Sequence, residues 1–381
     1  MSVPALRFKE FSGDWEVKVF ADILIKNRLG GNYANSENET NYPLIKMGNL
    51  DRGNIKLNKI EYIIQDEVIN PEDKINYGDL FFNTRNTLDL VGKVAIWRNE
   101  LPKAYYNSNL MLIKFDNNFF MNYRLNSHNG MESLKAIATG TTSVAAIYTK
   151  DLLKIKLEIP SLPEQTKIAN FLTAVDEKIT LLTQKADLLS QYKKGVMQQI
   201  FSQELRFKDD DGQEFPEWEE KTLGEIAETI QSGKSKGRQD LGEYPLYGST
   251  GVIGFSDRFE YEGKTILIAR VGANAGFIYE VDGSYSVSDN TLILVLKKPN
   301  NYSFFFNLLT KSNLNKLVFG SGQPLITGGQ LKSLFVEVPS LPEQTKIANF
   351  LTAIDEKITT NQTQLNAVKQ YKQGLLQQMF V

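Results

Sequence analysis

Pro160 to Thr180 reads PSLPEQTKIANFLTAVDEKIT, and Pro339 to Thr359 reads PSLPEQTKIANFLTAIDEKIT. One position of 21 differs, Val175 against Ile354. Two near-identical segments 179 residues apart in a chain of 381 mark two copies of one larger unit.

Each copy begins as a helix should. Ser161 with Glu164, and Ser340 with Glu343, have the Ser-x-x-Glu spacing of a capping box, and Pro163 and Pro342 fall in the first turn, where a missing N–H costs nothing. No glycine or proline then follows in the first copy until Gly195, so the sequence predicts a helix from Leu162 to about Gln203. At ~1.5 Å per residue it is roughly 60 Å long.

Apolar residues step by four and three through Ile168, Leu172, Val175, Ile179, Leu182, Ala186, Leu189, Val196 and Ile200. The second copy continues through Ile347, Leu351, Ile354, Ile358, Leu365, Val368, Leu375 and Met379, with Asn361 where the first has Leu182. This is a coiled-coil stripe with one polar position, a register device. A single such helix packs as readily on its own domain, but the repetition favours pairing, with Ile168, Leu172, Val175 and Ile179 and Ile347, Leu351, Ile354 and Ile358 as pairing and partner-binding positions. An antiparallel pair would carry Val381 back toward Met1, so that Leu6-Arg7-Phe8-Lys9 follows Phe380 in space as Leu205-Arg206-Phe207-Lys208 follows Phe201 in sequence.

The unit also has a repeated beginning. Leu6-Arg7-Phe8-Lys9 leads to Trp15-Glu16, and Leu205-Arg206-Phe207-Lys208 leads to Trp218-Glu219. From tryptophan to repeated proline the two frames span 145 and 121 residues, and their interiors differ. Those interiors predict short strands, among them 79–83, 93–97, 265–269 and 291–296, bounded by Gly, Asn or Asp. Gly78 and Gly263 each precede an arginine by seven residues, which pairs Arg85 with Arg270, and Asn109 and Asn290 enter the following apolar runs.

Composition narrows the function. A hydrophobic share of 41% suits ordinary cores, no run of 18 apolar residues suggests a membrane span, and the first residues lack a signal-peptide layout. Zero cysteines excludes disulfides and thiolate metal sites and agrees with a cytoplasmic chain. A net charge of −2 argues against a broadly basic coat, so any contact with nucleic acid must be local or shared with a partner. Two candidates are the polar, glycine-bearing stretches 26–33, with Lys26, Asn27 and Arg28, and 232–239, with Lys234, Lys236 and Arg238. Flexible backbone carrying such side chains suits phosphates and base edges, although similar stretches serve as plain connections.

No catalytic or metal-binding constellation emerges. Gly233-Lys234-Ser235 and Gly263-Lys264-Thr265 lack the earlier glycine of a phosphate-binding loop, holding Glu228 and Arg258 there. Gly320-Ser321-Gly322-Gln323 reads as a turn, and His128 as a solvated loop residue. Asp176-Glu177-Lys178 and Asp355-Glu356-Lys357 read as solvated helix surface.

The twice-repeated LPEQTKIANFL helix between variable regions, with Tyr244-Pro245-Leu246-Tyr247-Gly248 and Ile268-Ala269-Arg270-Val271-Gly272, resembles the specificity subunits of type I restriction–modification systems over the whole chain. The resemblance implies an α+β fold with pseudo-two-fold symmetry, in which two β-rich target-recognition domains, 1–159 and 205–338, are separated by long antiparallel helices, 160–204 and 339–381. Each domain would read half of a bipartite site in double-stranded DNA, with Arg85 and Arg270 facing DNA from equivalent places. The helices would set the spacer and dock two methyltransferase subunits, which motor-nuclease subunits join. S-adenosylmethionine, ATP and Mg²⁺ would be used by those partners, with no cofactor or catalytic residue in this chain. Competing readings are a coiled-coil scaffold whose β-rich domains bind protein or carbohydrate, and an enzyme with an unrecognised site.

Overall fold

The computed structural model describes residues 3–319 and 325–380. Met1, Val381 and the glycine-rich stretch 320–323 lie outside the described residues. The chain divides into two compact units, Met1–Thr183 with Gln364–Val381, and Gln184–Thr363. Each unit combines a β-rich region with the start of one long helix and the end of the other. Strands end at Ile159 and Val338 and the long helices begin at Leu162 and Leu341, while compactness divides the chain inside the helices.

In the first unit an antiparallel sheet has the strand order Lys26–Leu29, Leu110–Lys114, Leu80–Asn83, Val94–Ile96. The second repeats it with Ala227–Ser232, Thr291–Leu296, Thr265–Ala269 and Ile278–Val281. The central strands are buried on both faces, which explains runs such as TILIA and TLILVL without polar alternation. A second small sheet in each unit is built on one parallel pair, Leu44 beside Tyr105 and Leu246 beside Ser286. A two-stranded ribbon, Glu16–Val19 with Lys156–Ile159 and Glu219–Thr222 with Phe335–Val338, then leads into the long helix.

The long helices span Leu162–Phe201 and Leu341–Gln378. In the first unit Ile168, Leu172 and Val175 pack with Trp15, Phe120, Leu152 and Leu157 of the domain and with Leu375, Met379 and Phe380 from the end of the second helix, while Ile179 borders this core. In the second unit Ile347, Leu351 and Ile354 pack with Phe304 and Val336 and with Val196, Met197, Ile200 and Phe201, while Ile358 borders them. The stripe therefore serves helix pairing and domain packing together. Burying one such leucine contributes roughly 1.5–3 kcal/mol, so both tasks draw on the same side chains.

The pairing is antiparallel. Lys372 Nζ lies 2.5 Å from Asp176 Oδ1 in the first unit, and Lys193 Nζ bonds both Asp355 oxygens at 2.7 and 2.8 Å in the second. These pairs are related by the same 179-residue shift as the repeat, with acid and lysine exchanging helices. Asp176 and Asp355 nevertheless differ. Asp355 is half exposed, as expected for helix surface, whereas Asp176 keeps only 12% of its side chain exposed and accepts a further hydrogen bond from the Tyr123 hydroxyl at 2.8 Å, with Arg98 at 3.5 Å. Burial and the adjacent Asp176 push the Tyr123 phenol above its usual pKa.

The helix starts also differ from the expected capping box. Glu164 turns to the repeated beginning of the unit: Arg7 donates Nε and Nη2 to its two oxygens, both at 2.8 Å, and Trp15 Nε1 donates at 3.3 Å. Glu343 receives Arg206 at 3.3 and 3.1 Å and Trp218 at 3.2 Å in the same manner. Ser340 Oγ is buried with no hydrogen-bond partner among the described residues, so the box is not made there. The rest of the repeat is occupied alike. Gln165 and Gln344 donate to the carbonyls of Pro160 and Pro339, and Phe171 and Phe350 meet Phe8 and Phe207 edge-on.

The chain also returns as expected of an antiparallel pair. Leu6 N–H donates to Gln378 O at 2.8 Å, as Leu205 N–H donates to Gln199 O at 3.0 Å. The phenylalanines that follow, Phe380 and Phe201, lie 6.2 and 6.5 Å from Trp15 and Trp218.

Candidate nucleic-acid interface

Hydrogen-bond register aligns the two interiors independently of their sequences. Asn83 donates its N–H to Lys93 O and accepts at its carbonyl from Gly92 N–H, as Ala269 donates its N–H to Phe277 O and accepts at its carbonyl from Gly276 N–H. One residue on, Ile147 N donates to Thr84 O at 3.0 Å and Ile326 N donates to Arg270 O at 2.8 Å. Arg85 pairs with Ala146 where Val271 bridges Leu325. Arg270 therefore corresponds to Thr84, and Arg85 to Val271, one position away from the equivalence expected from the glycine spacing. In a strand one position is a change of face. The asparagines do correspond: Asn109 O accepts from the Thr84 hydroxyl, and Asn290 O from Arg270 N.

A chain crossing lies beside this place in each unit. A Cβ on Gly30 would stand 2.3 Å from Tyr106 O, and one on Gly233 2.3 Å from Val287 O. Only glycine passes so close to main chain, which accounts for the glycine in both polar stretches. The stretches themselves differ. Lys26, Asn27 and Arg28 belong to the edge strand Lys26–Leu29 and not to a loop. Arg28 is tied down, 2.8 Å from Asp73 and 3.3 Å from Glu72. Tyr33 hydrogen-bonds the same buried Asp73, and burial with this bond pushes its phenol up to about 12. Lys26 and Asn27 remain exposed, and in the second unit Lys234, Lys236 and Arg238 are exposed on the loop beyond Ser232.

Arg85 is exposed and lines a cavity of about 320 Å³ with Leu29, Thr84, Ser108, Asn109 and Tyr148. Of these, Leu29, Ser108 and Tyr148 were not singled out by sequence, because only the fold brings them together. Arg270 is half-buried, donates Nη1 to Ser232 Oγ at 3.3 Å, and buries an Nε with no acceptor among the described residues. Such clusters of guanidinium, amide and hydroxyl groups offer donors to base edges and phosphates. Among the described residues no group of His, Cys, Asp and Glu forms a metal site, and no helix is long and apolar enough to cross a membrane. His128 is exposed as expected, but it opens the helix His128–Ala136 and does not lie in a loop.

The arrangement is that of a tandem recognition protein, two like units presenting unlike side chains from the same place in the fold. Residues 12–191 and 216–370 match the family described as type I restriction modification DNA specificity domain, and the chain belongs to that family. It is 24% identical, over 96% of its length and 93% of the other's, to a putative type I restriction enzyme specificity subunit, MjaX, of Methanocaldococcus jannaschii. Over 43% of its length, and 41% of the other's, it is 30% identical to the EcoprrI specificity subunit of Escherichia coli. The crystal structure of a type I restriction–modification S subunit from M. genitalium shares the fold with a TM-score of 0.67, at 18% identity, covering 100% of this chain and 99% of that one.

Proposed function

We propose that this chain is the DNA-reading subunit of a type I restriction–modification complex in the cytoplasm, each unit reading one half of a bipartite double-stranded site. The long helices dock two methyltransferase subunits and fix the spacer between the half-sites. Transfer of a methyl group from S-adenosylmethionine, and cleavage driven by ATP with Mg²⁺ in motor-nuclease subunits, belong to those partners. The observation that carries this reading is that the family match falls on both repeats, whose 21-residue helix starts differ at one position while the side chains at the candidate reading place differ. Lys26, Asn27, Arg85, Lys234, Lys236, Arg238 and Arg270 are the candidate DNA contacts, and Arg28 acts through its ion pair to hold the edge strand.

The purified chain is expected neither to methylate nor to cut DNA when S-adenosylmethionine or ATP and Mg²⁺ are supplied, and to bind DNA weakly. With a net charge of −2 it releases few counterions by itself, so affinity should rise on adding methyltransferase subunits. Gel-shift titrations with and without those subunits, alongside methylation and cleavage assays, test this. Catalysis by the chain alone, or equal affinity in both states, would refute it.

A further inference from the structure

We propose that Ser232 is a positioning residue that aims Arg270 at a guanine in one half-site, an inference that rests on the DNA-reading role given to Arg270 above. The backbone of Arg270 is fixed from both sides, its N–H on Asn290 O at 2.9 Å and its carbonyl on Ile326 N–H at 2.8 Å. Only the side chain is left to vary. Ser232, the last residue of the strand Ala227–Ser232, accepts from Nη1 at 3.3 Å, and turning the planar guanidinium would break that bond. Bidentate pairing with guanine O6 and N7 needs the guanidinium plane held in one orientation, so the serine confers selectivity without touching the base.

The other unit supplies the control. The positions of Ser232 and Arg270 are filled there by Leu29 and Thr84, which line the open cavity of about 320 Å³ beside Arg85 and Asn109. Leu29 is 50% exposed, so this strand end folds without a hydroxyl. The serine and the arginine occur together in one unit and are absent together from the other, as a functional pair would be.

The test uses the full chain assembled with its methyltransferase subunits and duplexes carrying the methylated motif, in which each guanine in turn is replaced by 7-deazaguanine to remove the N7 acceptor. The wild type should lose roughly 5- to 150-fold in affinity at one guanine. Arg270→Ala should bind less tightly and be insensitive to that replacement. Ser232→Ala should reduce the discrimination by roughly two- to tenfold, the size of one side-chain hydrogen bond, while binding to unrelated DNA stays the same. Ser232→Thr, which keeps the hydroxyl, should restore it. If Arg270→Ala remains fully sensitive, the reading role and the inference both fail. If Arg270→Ala becomes insensitive while Ser232→Ala discriminates like the wild type, the reading role stands and the positioning role of Ser232 is wrong.

Discussion

Glu343→Ala is expected to destabilise the second unit by about 3–5 kcal/mol, the cost of removing one partner from a buried ion pair. Glu343 is fully buried and receives three donor atoms, Nε and Nη2 of Arg206 and Nε1 of Trp218. Without the carboxylate the Trp218 indole N–H loses its acceptor, and the Arg206 guanidinium is left with the carbonyls of Phe215 and Pro216 and the exposed Glu217, at the point where the helix, the ribbon and the beginning of the unit meet. Arg206 keeps 15% of its side chain exposed and recovers some water, which places the effect toward the lower end of that range. Glu343→Gln retains a carbonyl acceptor and should lose less. Hydrogen exchange resolved along the chain is the measurement, with faster exchange in the second unit and little change in the first. An alanine variant as stable as the wild type would show that Arg206 and Trp218 are not held by Glu343.

The second large effect concerns helix length. Inserting four residues after Thr180 and four after Thr359 adds one turn to each helix, ~6 Å of rise. Both insertions fall between the two ion pairs: position 180 lies between Asp176 and Lys193, and position 359 between Asp355 and Lys372. Each pair, with the core beside it, therefore keeps its local partners while the intervening segment lengthens equally in both helices. A four-residue insertion also nearly keeps each stripe on its side. If the helices fix the spacer, the methylated motif should gain about one or two base pairs between unchanged half-sites, since DNA rises ~3.4 Å per base pair. Sequencing methylated positions in cells carrying the lengthened chain tests this. An active variant with the original spacer would show that the helices are not the ruler, and altered half-sites would show that they do more than separate.

Periodicity made the helices legible, because Ile168, Leu172 and Val175 and their counterparts repeat at the spacing of one helical face. The predicted strands were found for a related reason: short apolar runs between turn residues have few other places to go. Contacts distant in sequence were not legible. Glu164 has local capping spacing with Ser161, yet Arg7 and Trp15, far away along the chain, offer it three donors and win. Asp176 was misread similarly, since Tyr123, Arg98 and Lys372 surround it only after folding. At the candidate reading place, glycine spacing paired Arg85 with Arg270 one residue out of register. Only the backbone bonds to Ile147 and Ile326 reveal that slip. Sequence could not show Asp73 beneath Arg28, which ties that side chain to the fold.

The central claim is that the two units read separate half-sites with different side chains from one place in the fold. The most direct test sequences the methylated positions of cells expressing the complete system with wild-type chain, Arg85→Ala or Arg270→Ala. Losing a base-reading arginine should cost ~1–3 kcal/mol and relax one half-site. Each substitution should therefore broaden a different half of the motif, leaving the other half and the spacer as in the wild type. An unchanged motif in both variants, or the same half broadened by both, would contradict the account.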